Sequence, residues 1–470
     1  MMGQTLKWSN YSRTAGAITA VGLGVYIATL QPPDGLTVQA MRILGTIVWA
    51  VIFWILNVLP EYVVGLLMCV LWVTTKAVTF NQAFANFATD SFWIMVGAFG
   101  IGVAATKCGL LKRLALIVIN LFPSNFSGQV LGLLGAGLLT APLIPSITAK
   151  GVIAAPIALN ISDTLGYPRK SSGAAGIFGA MYIGFCSTGP LFFSSSFVCF
   201  MLYGLLPQQV QAQFSWWYWL IASLPWGIFM IAASALVIHQ LYRPATTTHL
   251  RISDQMASMG SMTRDEKITL AILLITIILW ITERIHGISA GVVAVTGMCA
   301  LLSFNIFDRE DFRTKVDWTA VLFIGSVNNM GDVIQTLNID KWIGKTLEHS
   351  ITAYMSHPYI FIVLLAGAVI LSRFLIVSIA ATAVVFTLVL IPLSSAHGIN
   401  PWIITMVVFA STNVWFAFYE NSTYLSVFYA TGGEMVEHGQ MVKLSTAYAV
   451  ISTVGLLLSI PYWKLLGLIQ

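Results

Sequence analysis

Charge is what this chain has least of. Only 9% of its 470 residues are Asp, Glu, Lys or Arg, about a third of what dresses a water-soluble surface. Cysteine is scarce as well: Cys69, Cys108, Cys186, Cys199 and Cys299 lie in or beside apolar runs, and no two of them form a CxxC pair. That pattern offers neither a disulfide framework nor a structural metal site. HExxH, a P-loop and a GxGD pair are missing too, which removes the usual supports for intramembrane proteolysis and ATP-driven pumping. No stretch shows the in/out alternation of a transmembrane barrel strand. A soluble enzyme, a nucleic-acid binder and a secreted disulfide scaffold are thereby excluded, and no cofactor is expected.

What is present is apolar: 57% hydrophobic residues, with 27 Phe and 15 Trp. A bilayer core of about 30 Å takes about 20 residues of helix. On that measure spans are predicted near 15–31, 43–59, 62–78, 92–122, 173–206, 216–241, 268–283, 288–306, 318–337, 401–431 and 444–468. Two further apolar regions, about 128–161 and 358–396, are long enough for paired arms and carry Ser146 and Thr148, and Ser378 and Thr382, at their middles. They are predicted to be re-entrant hairpins. The expected fold is an all-α polytopic membrane protein, with about eleven transmembrane helices plus two hairpins in two inverted repeats.

The longest polar stretch, residues 243–267, divides the chain. Residues 1–42 then form an amino-terminal helix and loop, read as uncleaved, 43–242 a first repeat and 268–470 a second. Ser146 and Ser378 are 232 residues apart, and the same offset carries Ser187, in the Cys186-Ser187-Thr188-Gly189-Pro190 break, to the neighbourhood of Glu420, Asn421, Ser422 and Thr423. Interrupted segments at matching places in two halves are the best sequence pointer to a transporter site. With the amino terminus cytoplasmic, fifteen Lys and Arg fall in cytoplasmic loops and six outside, a positive-inside bias that makes the repeats inverted.

Chemistry concentrates at the interruptions. A helical arm that begins in mid-membrane presents unpaired N–H groups and the positive end of its dipole, so it cradles an anion. Pro142 and Pro145 fit a fresh helix start at Ser146, Ile147 and Thr148. Lys150 lies two residues beyond and Arg373 just before the second tip. A cation at mid-membrane needs a cavity, a carbonyl, a counter-charge or a substrate. Arg373 is expected to snorkel or to pin the hairpin arm to a carbonyl, and Lys150 to sit near the anion. Glu420, among Phe416, Phe418 and Tyr419, must be paired or protonated, and pairing with Lys150 or Arg373 is the expectation.

These features resemble the divalent anion:sodium symporter family, above all its citrate/succinate and tartrate/succinate antiporter branch. The likeness spans the chain: Pro32, Pro33, Gly35 and Leu36; Phe92 and Trp93; Gly109 to Arg113; both tips; and the ending Tyr462-Trp463-Lys464-Leu465-Leu466-Gly467-Leu468. It implies a homodimer that moves di- or tricarboxylates by an elevator motion, holding them between Ser-Asn-Thr tips and broken helices. Carried over by position, Ser146, Thr148 and Ser378 would contact substrate. Lys150 would supply the fixed charge that stands in for sodium, and Ile379 would mark the branch. Ile147 stands where the motif has Asn, Ala380 where it has Thr, and Glu420 where a small residue is usual. The second tip also admits a register on Thr382, Ala383 and Val384.

The sequence therefore predicts a sodium-independent exchanger of small organic anions in a bacterial-type inner membrane, its partners being the substrate, the bilayer and a second copy. Its site is drawn from Ser146, Ile147, Thr148, Lys150, Ser187, Thr188, Gly189, Ser378, Ile379, Thr382, Glu420, Asn421, Ser422 and Thr423. A proton-coupled symporter using Glu420 and a non-transporting sensor of the same fold are the alternatives.

Overall fold

The computed structural model describes residues 10–244 and 260–470. Lys7, Arg251 and most of the expected linker lie outside these residues. The longer helices run in chain order as α1 Asn10–Thr29, α2 Val38–Leu56, α3 Glu61–Thr74, α4 Asp90–Lys107, α5 Leu110–Asn120, α6 Phe126–Thr140, α7 Ile147–Thr164, α8 Ser172–Tyr182, α9 Phe197–Gly204 and α10 Trp216–Leu241. The second half continues with α11 Arg264–Ile281, α12 Ala290–Ser303, α13 Trp318–Val327, α14 Ile339–Met355, α15 Pro358–Ser372, α16 Ile379–Ala396, α17 Pro401–Thr412, α18 Ser422–Ala430 and α19 His438–Leu465.

After α1, the elements correspond nine apart, α2 with α11 through to α10 with α19, and their contacts cross over as a pseudo-two-fold requires. Helix α3 packs on α13 and α12 on α4; α7 packs on α18 and α16 on α9; α10 and α19 pack on each other. Close approach is built in where the halves interlock: any Cβ at Gly97 of α4 would strike Ala294 of α12.

Few of the predicted spans are straight, full-length helices. Among the described residues α2, Phe126–Leu143, Ser172–Leu191, α10 and α19 are long and apolar enough to cross a bilayer unaided. The 92–122 region bends by 70° between α4 and α5, at Gly109, whose φ of +84° a side chain would resist. The 318–337 region breaks after α13 at Asn328 and Asn329, and the 173–206 and 401–431 regions break in mid-course. Helix α14 was not anticipated, because Asp340, Lys341, Lys345 and Glu348 interrupt its apolar pattern. Helix α11 begins inside the expected linker: Thr263 and Glu266 form a reciprocal capping box there.

Both hairpins form as predicted, α6–α7 and α15–α16. Charged loops gather as well. Lys107 reaches Asp308 at 2.7 Å and also Asp311, Lys315 reaches Asp311 at 2.8 Å, and Arg113 reaches Glu266 at 2.7 Å. Three loops assigned to one membrane face thus meet at one end of the molecule, whereas Arg42 donates to the Thr75 carbonyl in a loop assigned to the other.

One string has enzyme-like spacing. Gly287-Ile288-Ser289-Ala290-Gly291 reads GxSxG, but the Ser289 hydroxyl accepts from Val292 N–H as the cap of α12. The ring nitrogens of His286 engage Leu279 O at 2.9 Å and Ile288 N–H at 3.0 Å. Ser289 and His286 are thus engaged separately, and no bond joins them among the described residues.

Candidate functional site

Four helix starts define the site, each closed by its own side chain. Ser146 accepts from Ala149 N–H at 3.3 Å and Ser378 from Ala381 N–H at 3.0 Å. Ser196 accepts from Val198 N–H at 3.2 Å and Asn421 from Tyr424 N–H at 2.9 Å. A capping residue pairs one of the four orphan donors, and the others remain at the turn, where the dipole favours an anion. Ser146, Thr148, Ser378 and Ile379 are half-buried and Ser422 is exposed, while Ile147 is buried. The Ser378 register is the one the cap supports: the Thr382 hydroxyl lies a turn inside α16, donating to Ser378 O at 2.8 Å.

The first tip meets the second broken span directly, through the Thr148 and Thr423 hydroxyls, 2.6 Å apart. In the first broken span a π-turn, Ile183–Ser187, leads into short 3-10 turns. Gly189 lies against Ile147 and Phe409, since a Cβ there would come within 3.4 Å of both. Thr188 Oγ1 donates to Gly184 O at 2.9 Å, whereas the buried Ser187 hydroxyl has no partner. Asn413, which the sequence reading passed over, joins the two broken spans by donating to Cys186 O at 3.0 Å. Asn421 closes its loop by donating to Val414 O at 2.9 Å.

The cations follow the pseudo-symmetry. Lys150 Nζ donates to Ala141 O at 3.2 Å and to Ser195 O at 2.9 Å. Arg373 donates to Ile376 O at 2.7 Å, to Val377 O at 2.8 Å, to Thr382 Oγ1 at 3.5 Å and, more closely, to the carbonyl of Glu420. In either half, then, one buried cation ties the hairpin's elbow to its second arm and to the carbonyl just before the cap of the broken helix. The first half supplies it from the arm at position 150, the second from the elbow at 373. Of its two expected roles, Arg373 takes that of pinning the hairpin to carbonyls. Lys150 points into the same kind of carbonyl cage rather than at open space.

Glu420 departs from expectation. Arg373 holds its carbonyl, not its carboxylate, and no ion pair to Glu420 occurs among the described residues. One carboxylate oxygen accepts from Phe416 N–H; the other, Oε2, is buried without a partner. The Nη atoms of the guanidinium are taken up by three carbonyls and a hydroxyl, while its Nε is buried without a partner. A further acid missed in the sequence, Glu61 at the start of α3, faces Ser378 and Arg373. Its position after Pro60, at the start of an apolar run, was the available signal.

Residues 12–469 match the family described as the sodium:sulfate symporter transmembrane region. The chain belongs to the divalent anion:sodium symporter family. Chloroplastic dicarboxylate transporter 2 of Spinacia oleracea is 25% identical over 96% of this chain and 82% of its own length. The L-tartrate/succinate antiporter of Escherichia coli O6:K15:H31 is 24% identical over 69% of this chain and 67% of its own. The solved structure of the Alcanivorax borkumensis YdaH transporter shares the fold, with a TM-score of 0.60 at 16% identity, covering 87% of this chain and 99% of that one. This member of the symporter family is an all-α, multi-pass membrane transporter and not an enzyme.

Proposed function

We propose that the protein exchanges small organic anions, of the di- or tricarboxylate class, across a bacterial-type inner membrane without sodium. One observation carries the reading: in each half, carbonyl oxygens beside the tip are already held by a fixed cation, Lys150 or Arg373. Such hard oxygens are what a sodium ion would need, and Ile147 and Ile379 withhold the amide oxygens that would complete its shell. The names of the spinach and Escherichia coli relatives support the substrate class.

In this reading the hairpins and broken spans, α6–α9 and α15–α18, carry the anion as a unit, an elevator within a homodimer whose amino termini are cytoplasmic. Glu61, at the start of α3, lies beside the second tip and near Asp317. Counterflow of labelled dicarboxylate in proteoliposomes, compared in sodium, potassium and choline, tests it: equal rates are expected, and a steep rise with sodium refutes it. A second reading, proton-coupled symport, is favoured by the unpartnered Oε2 of Glu420. It requires that substrate accumulation follow an imposed pH gradient and that Glu420→Gln abolish this.

A further inference from the structure

The break of the second span is gripped by a histidine of the next helix that the site described above does not use. His438, the first residue of α19, is half-buried. Its Nε2 lies 3.1 Å from Phe416 O and its Nδ1 3.2 Å from the Tyr424 hydroxyl, and the Phe418 ring stacks on it with centroids 4.1 Å apart. One side chain therefore holds Phe416 and Tyr424, which flank Glu420 and Asn421. On Phe416 it shares the grip with Glu420: the N–H goes to the Glu420 carboxylate and the carbonyl to His438.

These partners fix the proton. Phe416 O can only accept, so Nε2 carries the hydrogen; Nδ1 of the neutral ring is then an acceptor, and Tyr424 donates to it. Tyr424 is fully buried, and among the described residues its hydroxyl has no other hydrogen-bond partner. Protonation of Nδ1 turns the acceptor into a donor and leaves that buried O–H with nowhere to donate. Histidine is the side chain whose ordinary titration range crosses physiological pH. No ion pair to His438 occurs among the described residues. The elements packed around it bring Tyr242 of α10, which donates to Gln440 O, and Tyr182 of α8, edge-on to Tyr424. Lys170 bonds this segment through its backbone, to Met435 O and from Gln440 Nε2. His239 of α10 is engaged with Ser127, α15 and α17 hold no carboxylate, lysine, arginine or histidine, and Glu434 and Glu437 lie on the approach to α19.

We propose that His438 is a positioning residue and proton sensor of the second broken span. Neutral, it clasps Phe416 and Tyr424 and fixes the loop that carries Glu420 and the cap Asn421. Protonated, it releases Tyr424, the start of α18 is no longer held in place for the anion, and exchange slows. This rests on the anion-exchange reading above and adds a regulation to it.

Two conservative variants test the clasp. Tyr424→Phe keeps the ring and removes the hydroxyl; His438→Gln keeps a donor for Phe416 O and an acceptor for Tyr424 but does not titrate. Melting of the purified full chain and labelled-succinate counterflow are measured at about pH 8 and about pH 5.5, on either side of the ordinary histidine range, with equal pH inside and outside the vesicles. Succinate's own titration is common to all the proteins and cancels in their ratios. At the higher pH Tyr424→Phe should melt below the parent and exchange several-fold more slowly, the scale of one hydrogen bond. In acid both differences should disappear. In the His438→Gln background the cost of Tyr424→Phe should be the same at both values. Either difference between parent and Tyr424→Phe persisting undiminished in acid overturns the proposal, and that comparison stands even where His438→Gln fails to fold. If no dicarboxylate exchanges while the melting difference still vanishes in acid, the anion-exchange reading falls and the clasp remains.

Discussion

Lys150 shows how a single residue can hold two segments together through their backbone carbonyls. Fully buried, its ammonium bridges Ala141 O of the hairpin elbow and Ser195 O before the cap of α9. Lys150→Ala strands two buried carbonyls, each costing about 1–3 kcal/mol, so the purified variant should melt at lower temperature and lose substrate-induced stabilisation. Lys150→Arg keeps the charge and the donors but adds bulk in a packed cage, and should recover part of both. An alanine variant that binds as tightly as the parent would mean that the cage does not shape the site. The sequence made Lys150 conspicuous as a mid-membrane cation, but not where it points, because the carbonyls it reaches lie 9 and 45 residues away.

At the scale of elements, the tips matter through what they lean on. The bond of Thr148 to Thr423 joins α7 to α18, a hydroxyl-to-hydroxyl link between the first tip and the opposite broken span. Thr148→Val preserves shape and removes about 1 kcal/mol of bonding, so KM for exchange should rise several-fold with little change in melting temperature. Glu61 belongs to α3, outside the hairpins and broken spans, yet faces Ser378 and Arg373; Glu61→Gln should loosen that contact and speed exchange. Both hairpins and both breaks were legible in the sequence, since Pro142, Pro145 and the 232-residue offset mark them. The bend at Gly109 and helix α14 were not: a change of direction leaves apolar runs continuous, and an amphipathic helix has no run to find. Pairing of Glu420 was misjudged for a related reason, because sequence proximity of charges cannot say whether an arginine meets a carboxylate or the carbonyl behind it.

Over the whole molecule, the two halves are fastened where charged loops converge. Arg113 of α5 donates to Glu266 at 2.7 Å and to Gly260 O at 2.9 Å, joining the bent arm of the first half to the entry of the second. The Arg113 guanidinium bonded to Glu266, aided by Thr263 N–H, holds the Glu266 carboxyl below its ordinary range. A carboxyl depressed on folding contributes stability that is present above its unfolded value and is lost as pH falls through its folded one. Detergent-solubilised protein should therefore keep this contribution at neutral pH and lose it progressively as the pH drops below about 4.5. Glu266→Gln removes the ion pair at every pH: it should melt below the parent at pH 7, and the two curves should converge as the medium becomes acidic. Because Glu266 lies far along the chain from either tip, substrate ranking in the variant should match the parent's. Melting curves that stay equally separated from pH 7 to strongly acidic conditions would show that the glutamate acts through its shape in the capping box and not through its charge.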